Sequence, residues 1–186
     1  MNESEVYKKI ALYLAQKNAP YKDIDFASIA RKTGVTAEQA VTLIAITGHE
    51  SAFGHAFART EGKRTIAAST EEGRSYYNYA GVKWCIEVPV KVPSIAFDGS
   101  MVDTFTDCPE ATSIPDNRGF WLQKYPDDET FFITFFAQMK TGYFDKGCST
   151  AGCIKSWYVG GNLLKKMAWA NAVNRFVDDI NATKVY

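Results

Sequence analysis

The stretch VTLIAITGHESAFG, Val41 to Gly54, limits most tightly what this chain can fold into. Val41, Leu43, Ile44, Ala45 and Ile46 make an apolar run too continuous for a helix with one face in water. Such a helix would space its apolar residues three and four apart. Gly48 follows, then a carboxylate at Glu50, then Ser51, Phe53 and Gly54. The pattern predicts a buried helix that delivers one acid to its C-terminal end, beside a cleft. Thr36 is placed to cap this helix and Gln39 completes a capping box, so the helix should run from about Ala37 to about Glu50.

Around it the chain alternates between helical and extended patterns. Ser4 to Lys17 reads as an amphipathic helix with Val6, Ile10, Ala11, Tyr13 and Leu14 on one stripe, and Asp25 to Lys32 as a shorter one closed by Gly34. Phe53 to Gly73 is polar and reads as a surface loop or a short helix. Arg74 to Cys85 is dense in aromatics. Ile86 to Val92 alternates as a strand does, with Pro89 and Pro93 suggesting an edge. Ile95–Phe97 and Met101–Phe105 look like further short strands around a turn at Asp98-Gly99. Helical periodicity returns after Tyr125-Pro126, with Asp127 or Asp128 as the cap, Phe131, Phe132, Phe135, Phe136 and Met139 along the helix, and Gly142 at its end. The segment holding Cys148 and Cys153 reads as a loop leading to Trp157-Tyr158, and a last helix spans Asn162 to about Asn181. Trp121 and Trp169 are assigned to the core. The expected fold class is α+β, mainly α: residues 1–83 and 123–186 form a helical lobe, about 84–122 a small irregular β-lobe, and a groove lies between them in one domain of 186 residues.

FASIARKTGVTAEQAVTLI also has the outline of a DNA-reading helix-turn-helix. Its second helix, AEQAVTLIAITG, holds no Arg or Lys, and the chain balances 21 cationic against 21 anionic side chains. Both points argue against a phosphate-backbone partner, and the helix pair reads as packing. With no apolar run near the length of a bilayer span, no membrane span is expected. The start, MNESEVYKKI, is polar and lacks a signal-peptide core. Such a chain works where it is made, travels by another route, or has lost a leader.

The four cysteines favour two local disulfides, Cys85–Cys108 and Cys148–Cys153, with buried free thiols as the alternative. Zinc is disfavoured because no short Cys or His pair has finger-like spacing. His49 and His55 flank Glu50, but six residues separate them where the zinc-protease pattern has four, so no metal is expected. No cofactor is expected either. Disulfides point to an oxidising place, periplasmic or extracellular.

Glu50 is poorly placed for helix stability and well placed for proton donation. Apolar surroundings disfavour its charged form, and so does the partial negative charge at a helix C-terminus. The alternative is a structural carboxylate paired with Arg or capping a loop.

Glu50-Ser51-Ala52-Phe53-Gly54, followed by Tyr77-Asn78-Tyr79-Ala80-Gly81-Val82-Lys83, resembles the glucosaminidase family of bacterial peptidoglycan hydrolases, the autolysin and flagellar rod-assembly hydrolase type within the lysozyme-like superfamily. The resemblance covers roughly Val41 to Ile180. It implies a lysozyme-like two-lobed fold and cleavage of β-1,4 bonds between N-acetylated amino sugars of peptidoglycan strands, with Glu50 as general acid. It also implies a second carboxylate in the β-lobe; Glu87 is preferred over Asp98, Asp103 and Asp107. By the same resemblance Ser51, Tyr77, Asn78, Tyr79, Lys83 and Trp84 contact substrate, with Trp157 and Tyr158 opposite. CIEVPVKVPSIAFDG stands where the family has an acidic strand, which keeps two alternatives in play. One is a lytic transglycosylase working with Glu50 alone; the other is a non-catalytic glycan-binding component. A place in a phage, flagellar or secretion apparatus is compatible with each.

Overall fold

The computed structural model describes residues 2–55, 77–80, 83–86, 92–95, 101–104, 120–122, 125–159 and 162–185. Helices dominate. Among the described residues three precede the strands: α1 (Glu3–Gln16), α2 (Phe26–Thr33) and α3 (Ala37–Ser51). Strands β1 (Lys83–Ile86), β2 (Val92–Ile95), β3 (Met101–Thr104) and β4 (Phe120–Leu122) follow, each three or four residues long. Then come α4 (Asp128–Gly142), a 3-10 turn at Phe144–Lys146, α5 (Ala151–Tyr158) and α6 (Leu163–Ala182).

The mainly helical class agrees with the sequence, and the helix starts agree for a local reason. Asn2, Asp25, Thr36, Asp127 and Asn162 each accept a backbone N–H of the first turn that follows. Each short polar side chain satisfies a donor that the helix cannot. At α3 the capping box is complete: the Thr36 hydroxyl accepts from Gln39 N, and the Gln39 amide oxygen accepts from Thr36 N.

α3 is the axis of the packing. Every residue from Ala40 to Gly48 is buried, so all of its faces are covered. α1, α2 and α6 pack around it, α4 packs on α2, and α5 on α6. Fully burying each of Leu43, Ile44 and Ile46 contributes roughly 1.5–3 kcal/mol. Thr47, buried on this helix, is satisfied: its hydroxyl donates to the Ile44 carbonyl at 2.8 Å and lies 2.9 Å from the Tyr21 hydroxyl. Tyr21 opens an aromatic cluster with Phe26, Tyr79, Phe131, Phe132 and Phe136, largely edge-to-face.

The strands form two antiparallel pairs, β1 with β4 and β2 with β3. The first changes register between Lys83 and Cys85; the second runs from Val92 opposite Thr104 to Ile95 opposite Met101. Of the strand expected over Ile86–Val92, Ile86 ends β1 and Val92 begins β2, which belong to different pairs, and the residues between them lie outside the described residues. So do the Asp98-Gly99 turn, most of the 53–73 stretch, and the Cys85–Cys108 pairing through Cys108. Cys148–Cys153 is formed, with the Cα atoms 5.4 Å apart. It does not span a loop running to Trp157, as the sequence suggested. Thr150 caps a helix, α5, that begins inside the disulfide and ends at Tyr158.

The turn after α3 is the tightest place in the described chain. Ala52, Phe53 and Gly54 all take left-handed backbone angles, φ 50°, 57° and 87°. This folds the Phe53 ring back onto Gly48, where a Cβ would stand 2.3–2.8 Å from three ring carbons. A methyl there has no room unless Phe53 leaves its slot between Tyr13 and Phe176. Gly48→Ala is therefore expected to destabilise the fold by about 1–3 kcal/mol through overpacking. Thermal unfolding checks this, and an unchanged midpoint would show that the ring yields freely.

Candidate functional site

Ser51 fixes the turn that ends α3. Its hydroxyl donates to the Thr47 carbonyl at 2.8 Å and accepts from Gly54 N at 3.0 Å. With both capacities used and 1% of its surface exposed, Ser51 is a structural pin. Ser51 was expected to touch substrate; its described contacts lie within its own turn. Ala52 closes the helix as its C-cap.

One residue before that pin, Glu50 is only partly covered. Its Oε1 accepts the indole N–H of Trp169 at 2.7 Å, across 119 residues of sequence. The Trp169 ring is held on both sides, edge-on to His49 at 6.0 Å between centroids and tilted against Tyr158 at 5.4 Å. Tyr158 in turn donates its hydroxyl to the Ala80 carbonyl at 2.8 Å. Burial pushes the Tyr158 phenol well above its usual range, and the negative charge of Glu50 adds to the shift, so the phenol stays protonated and keeps donating. Tyr143 stands edge-on beyond it at 6.4 Å.

Through these contacts the end of α3 is linked, by way of α6 and the end of α5, to the 77–80 segment: Glu50 meets Trp169, Trp169 meets Tyr158, and Tyr158 meets Ala80. The two sequence motifs that suggested a site, at 50–54 and 77–83, are thus brought together by Tyr158 and Trp169. Both aromatics sit where α5 and α6 pack on each other.

Within 77–80 the side chains divide. Tyr77 is partly buried and takes a left-handed φ of 46°. Asn78 is 1% and Tyr79 3% exposed. The Tyr79 ring stacks on Phe132, meets Tyr21 and Phe131, and its hydroxyl donates to Asp128. Burial raises the Asp128 carboxyl, partly offset by that donated hydrogen bond. Asn78 and Tyr79 were expected to line a groove; both are buried, Tyr79 among Tyr21, Phe131 and Phe132. The aromatic density of the segment serves the core as much as any ligand. Lys83 and Trp84 belong to β1 and Trp157 to α5, and their side chains lie outside the described residues, as do Glu87, Asp98 and Asp107. Asp103 is in β3, opposite Pro93.

His49 and His55 diverge: His49 lies against Trp169, whereas the His55 ring nitrogen Nε2 is 2.9 Å from the Lys17 carbonyl oxygen. Among the described residues no group of three or more His, Cys, Asp or Glu is arranged to hold a metal.

Trp169 is the residue that sequence reasoning placed correctly and read incompletely. It is buried, as expected of a core residue, yet its N–H holds the acid. The available signal was general: a buried indole needs an acceptor.

No protein-family model matches the chain, and no curated protein or solved structure matches it either.

The Glu50–Trp169 contact can be measured directly. Trp169→Phe keeps a ring between His49 and Tyr158 and removes the N–H; Glu50→Ala removes the acceptor. A double-mutant cycle on unfolding free energy is expected to give a coupling of about 1 kcal/mol or more. Additive effects would mean that the two groups do not interact in solution.

Proposed function

We propose that this domain is a peptidoglycan-cleaving glycosidase of the lysozyme-like kind, similar to the glucosaminidases, in which Glu50 is the general acid. The observation that carries the reading is the chain of contacts through Trp169 and Tyr158 that links Glu50, partly covered and hydrogen-bonded by an indole, to the 77–80 segment. An acid that must give and retake a proton needs a fixed direction and a partly dry setting. The pin at Ser51, the Trp169 N–H and the protonated Tyr158 supply both. The two-lobed fold, with a β-lobe over about 84–122 and a groove beside Glu50, is part of the same proposal.

In this mechanism Glu50 gives its proton to the glycosidic oxygen as the C–O bond breaks, and the ring takes on oxocarbenium character. The sugar fragment with the freed hydroxyl leaves. The resulting Glu50 carboxylate then accepts a proton from the incoming nucleophile. For hydrolysis that nucleophile is water, with Glu87 as the second carboxylate that assists. For a lytic transglycosylase it is the sugar's own 6-hydroxyl, and Glu50 works alone. Peptidoglycan in the periplasm or outside the cell would be the substrate, and the Cys148–Cys153 disulfide is compatible with such places.

Zymography on purified cell walls tests the reading. Glu50→Gln is expected to lower wall lysis by at least about 10²-fold with an unchanged melting curve. Undiminished lysis would remove Glu50 from the chemistry. Products of the wild type separate the two routes: reducing ends follow from hydrolysis, and 1,6-anhydro ends from attack by the 6-hydroxyl. Wall binding without soluble products would assign the domain to glycan binding instead.

A further inference from the structure

The largest apolar side chains left open among the described residues gather at the start of α6. Leu163 is 66%, Leu164 77% and Met167 45% exposed, and among those residues only Leu12 joins them. At the 100° step of a helix, Leu163, Met167 and Leu164 occupy one continuous arc on the side opposite Trp169. Exposed Ala168 extends it. Lys166 stands at one edge of the arc and Lys165 at the other. Further along the same side come Asn171, Asn174 and Arg175, so the apolar surface is a knob on the first two turns and not a stripe along the helix.

Along the sequence on either side of the knob, charge is one-sided. From Lys146 to Val177 the chain carries Lys146, Lys155, Lys165, Lys166 and Arg175 and no Asp or Glu, although its total is 21 of each sign. Lys166 is tied back by a 2.8 Å hydrogen bond from its ammonium group to the Ser156 carbonyl, which sets its charge between α5 and the knob. Lys165 is exposed.

We propose that this end of the molecule docks on an anionic lipid bilayer. Leu163, Leu164 and Met167 enter the boundary between headgroups and acyl chains, and Lys165, Lys166 and Lys155 face the lipid phosphates. The arrangement suits an interface because the apolar groups leave water while the ammonium groups stay at headgroup level. Each lysine near an anionic surface adds attraction that salt screens. A helix-binding protein groove reads apolar anchors over two or more turns; here the side turns polar at Asn171. Docked this way, the molecule holds the Trp169 side of α6, and with it Glu50, away from the lipid. The inference is independent of what Glu50 does.

Co-sedimentation of the full chain with vesicles tests it, using phosphatidylcholine alone and phosphatidylcholine mixed with phosphatidylglycerol. Binding to the phosphatidylglycerol vesicles is expected at low salt, about tenfold or more weaker on phosphatidylcholine, and released by high salt. The double substitution Leu163→Ser with Leu164→Ser should weaken binding by about tenfold or more and leave the circular-dichroism melt in place, since both side chains are exposed. Should that melt change, Lys165→Gln carries the test, weakening binding to the anionic vesicles alone. Three results would overturn the proposal: no binding to anionic vesicles, equal binding to both kinds, or binding that neither variant reduces. Self-association of the wild type that the double substitution abolishes, without vesicle binding, would also overturn it and give the knob to a second copy of the chain.

Discussion

The contact between the Phe53 ring and the bare backbone of Gly48 governs more of this molecule than any polar interaction in it. Because position 48 lacks a side chain, the chain can reverse over the end of α3 within three residues. Phe53 can then fill a slot between α1 and α6. That reversal is what ends the helix one residue after Glu50. It also explains why Ala52 and Phe53 tolerate left-handed angles, which are uncommon outside glycine and are held only where the surroundings over-determine them. Apolar burial within the turn compensates local backbone strain, and the carboxylate next to it inherits a fixed place.

From that place the polar contacts follow in a chain. Glu50 receives Trp169, Trp169 packs on Tyr158, and Tyr158 reaches back to Ala80. Each link joins elements far apart in sequence, and none is an ion pair. The described part of the site is thus held by neutral donors and aromatic faces.

How much of this could be read from the sequence depended on whether the signal was local. α3 was legible end to end because a run with no polar face has only one place to go, and because Thr36 and Gln39 mark its start with a pattern three residues long. The cap of α4 at Asp127 was legible for the same reason, whereas Asn2, Asp25 and Asn162 were not singled out as caps. α5 was missed: eight residues holding one cysteine of a disulfide look like the exit of a loop, and only Thr150 hints at a helix. The division of the YNYA segment was beyond local reading. Nothing within those four residues says that Tyr79 turns inward onto Phe132 and Asp128; residues fifty positions away decide it. Trp169 was assigned to the core correctly, and its partner could not be named before α3 and α6 were placed side by side. Glu50 stood out because a charge after so long an apolar run is locally anomalous.

The capping box and the Ser51 pin clamp α3 at both of its ends. Between them the helix acts as a rigid ruler. Fourteen residues separate Thr36 from Glu50, and each adds about 1.5 Å of rise and about 100° of rotation. Substitutions inside the ruler, Gly48 apart, alter packing and leave the reading at its far end unchanged. A single-residue insertion or deletion does the opposite: the packing stripe slips, and the carboxylate swings by roughly a quarter-turn away from Trp169. Along this segment, length is therefore held more strictly than side-chain identity, and natural variation in it should come as exchanges and not as gaps.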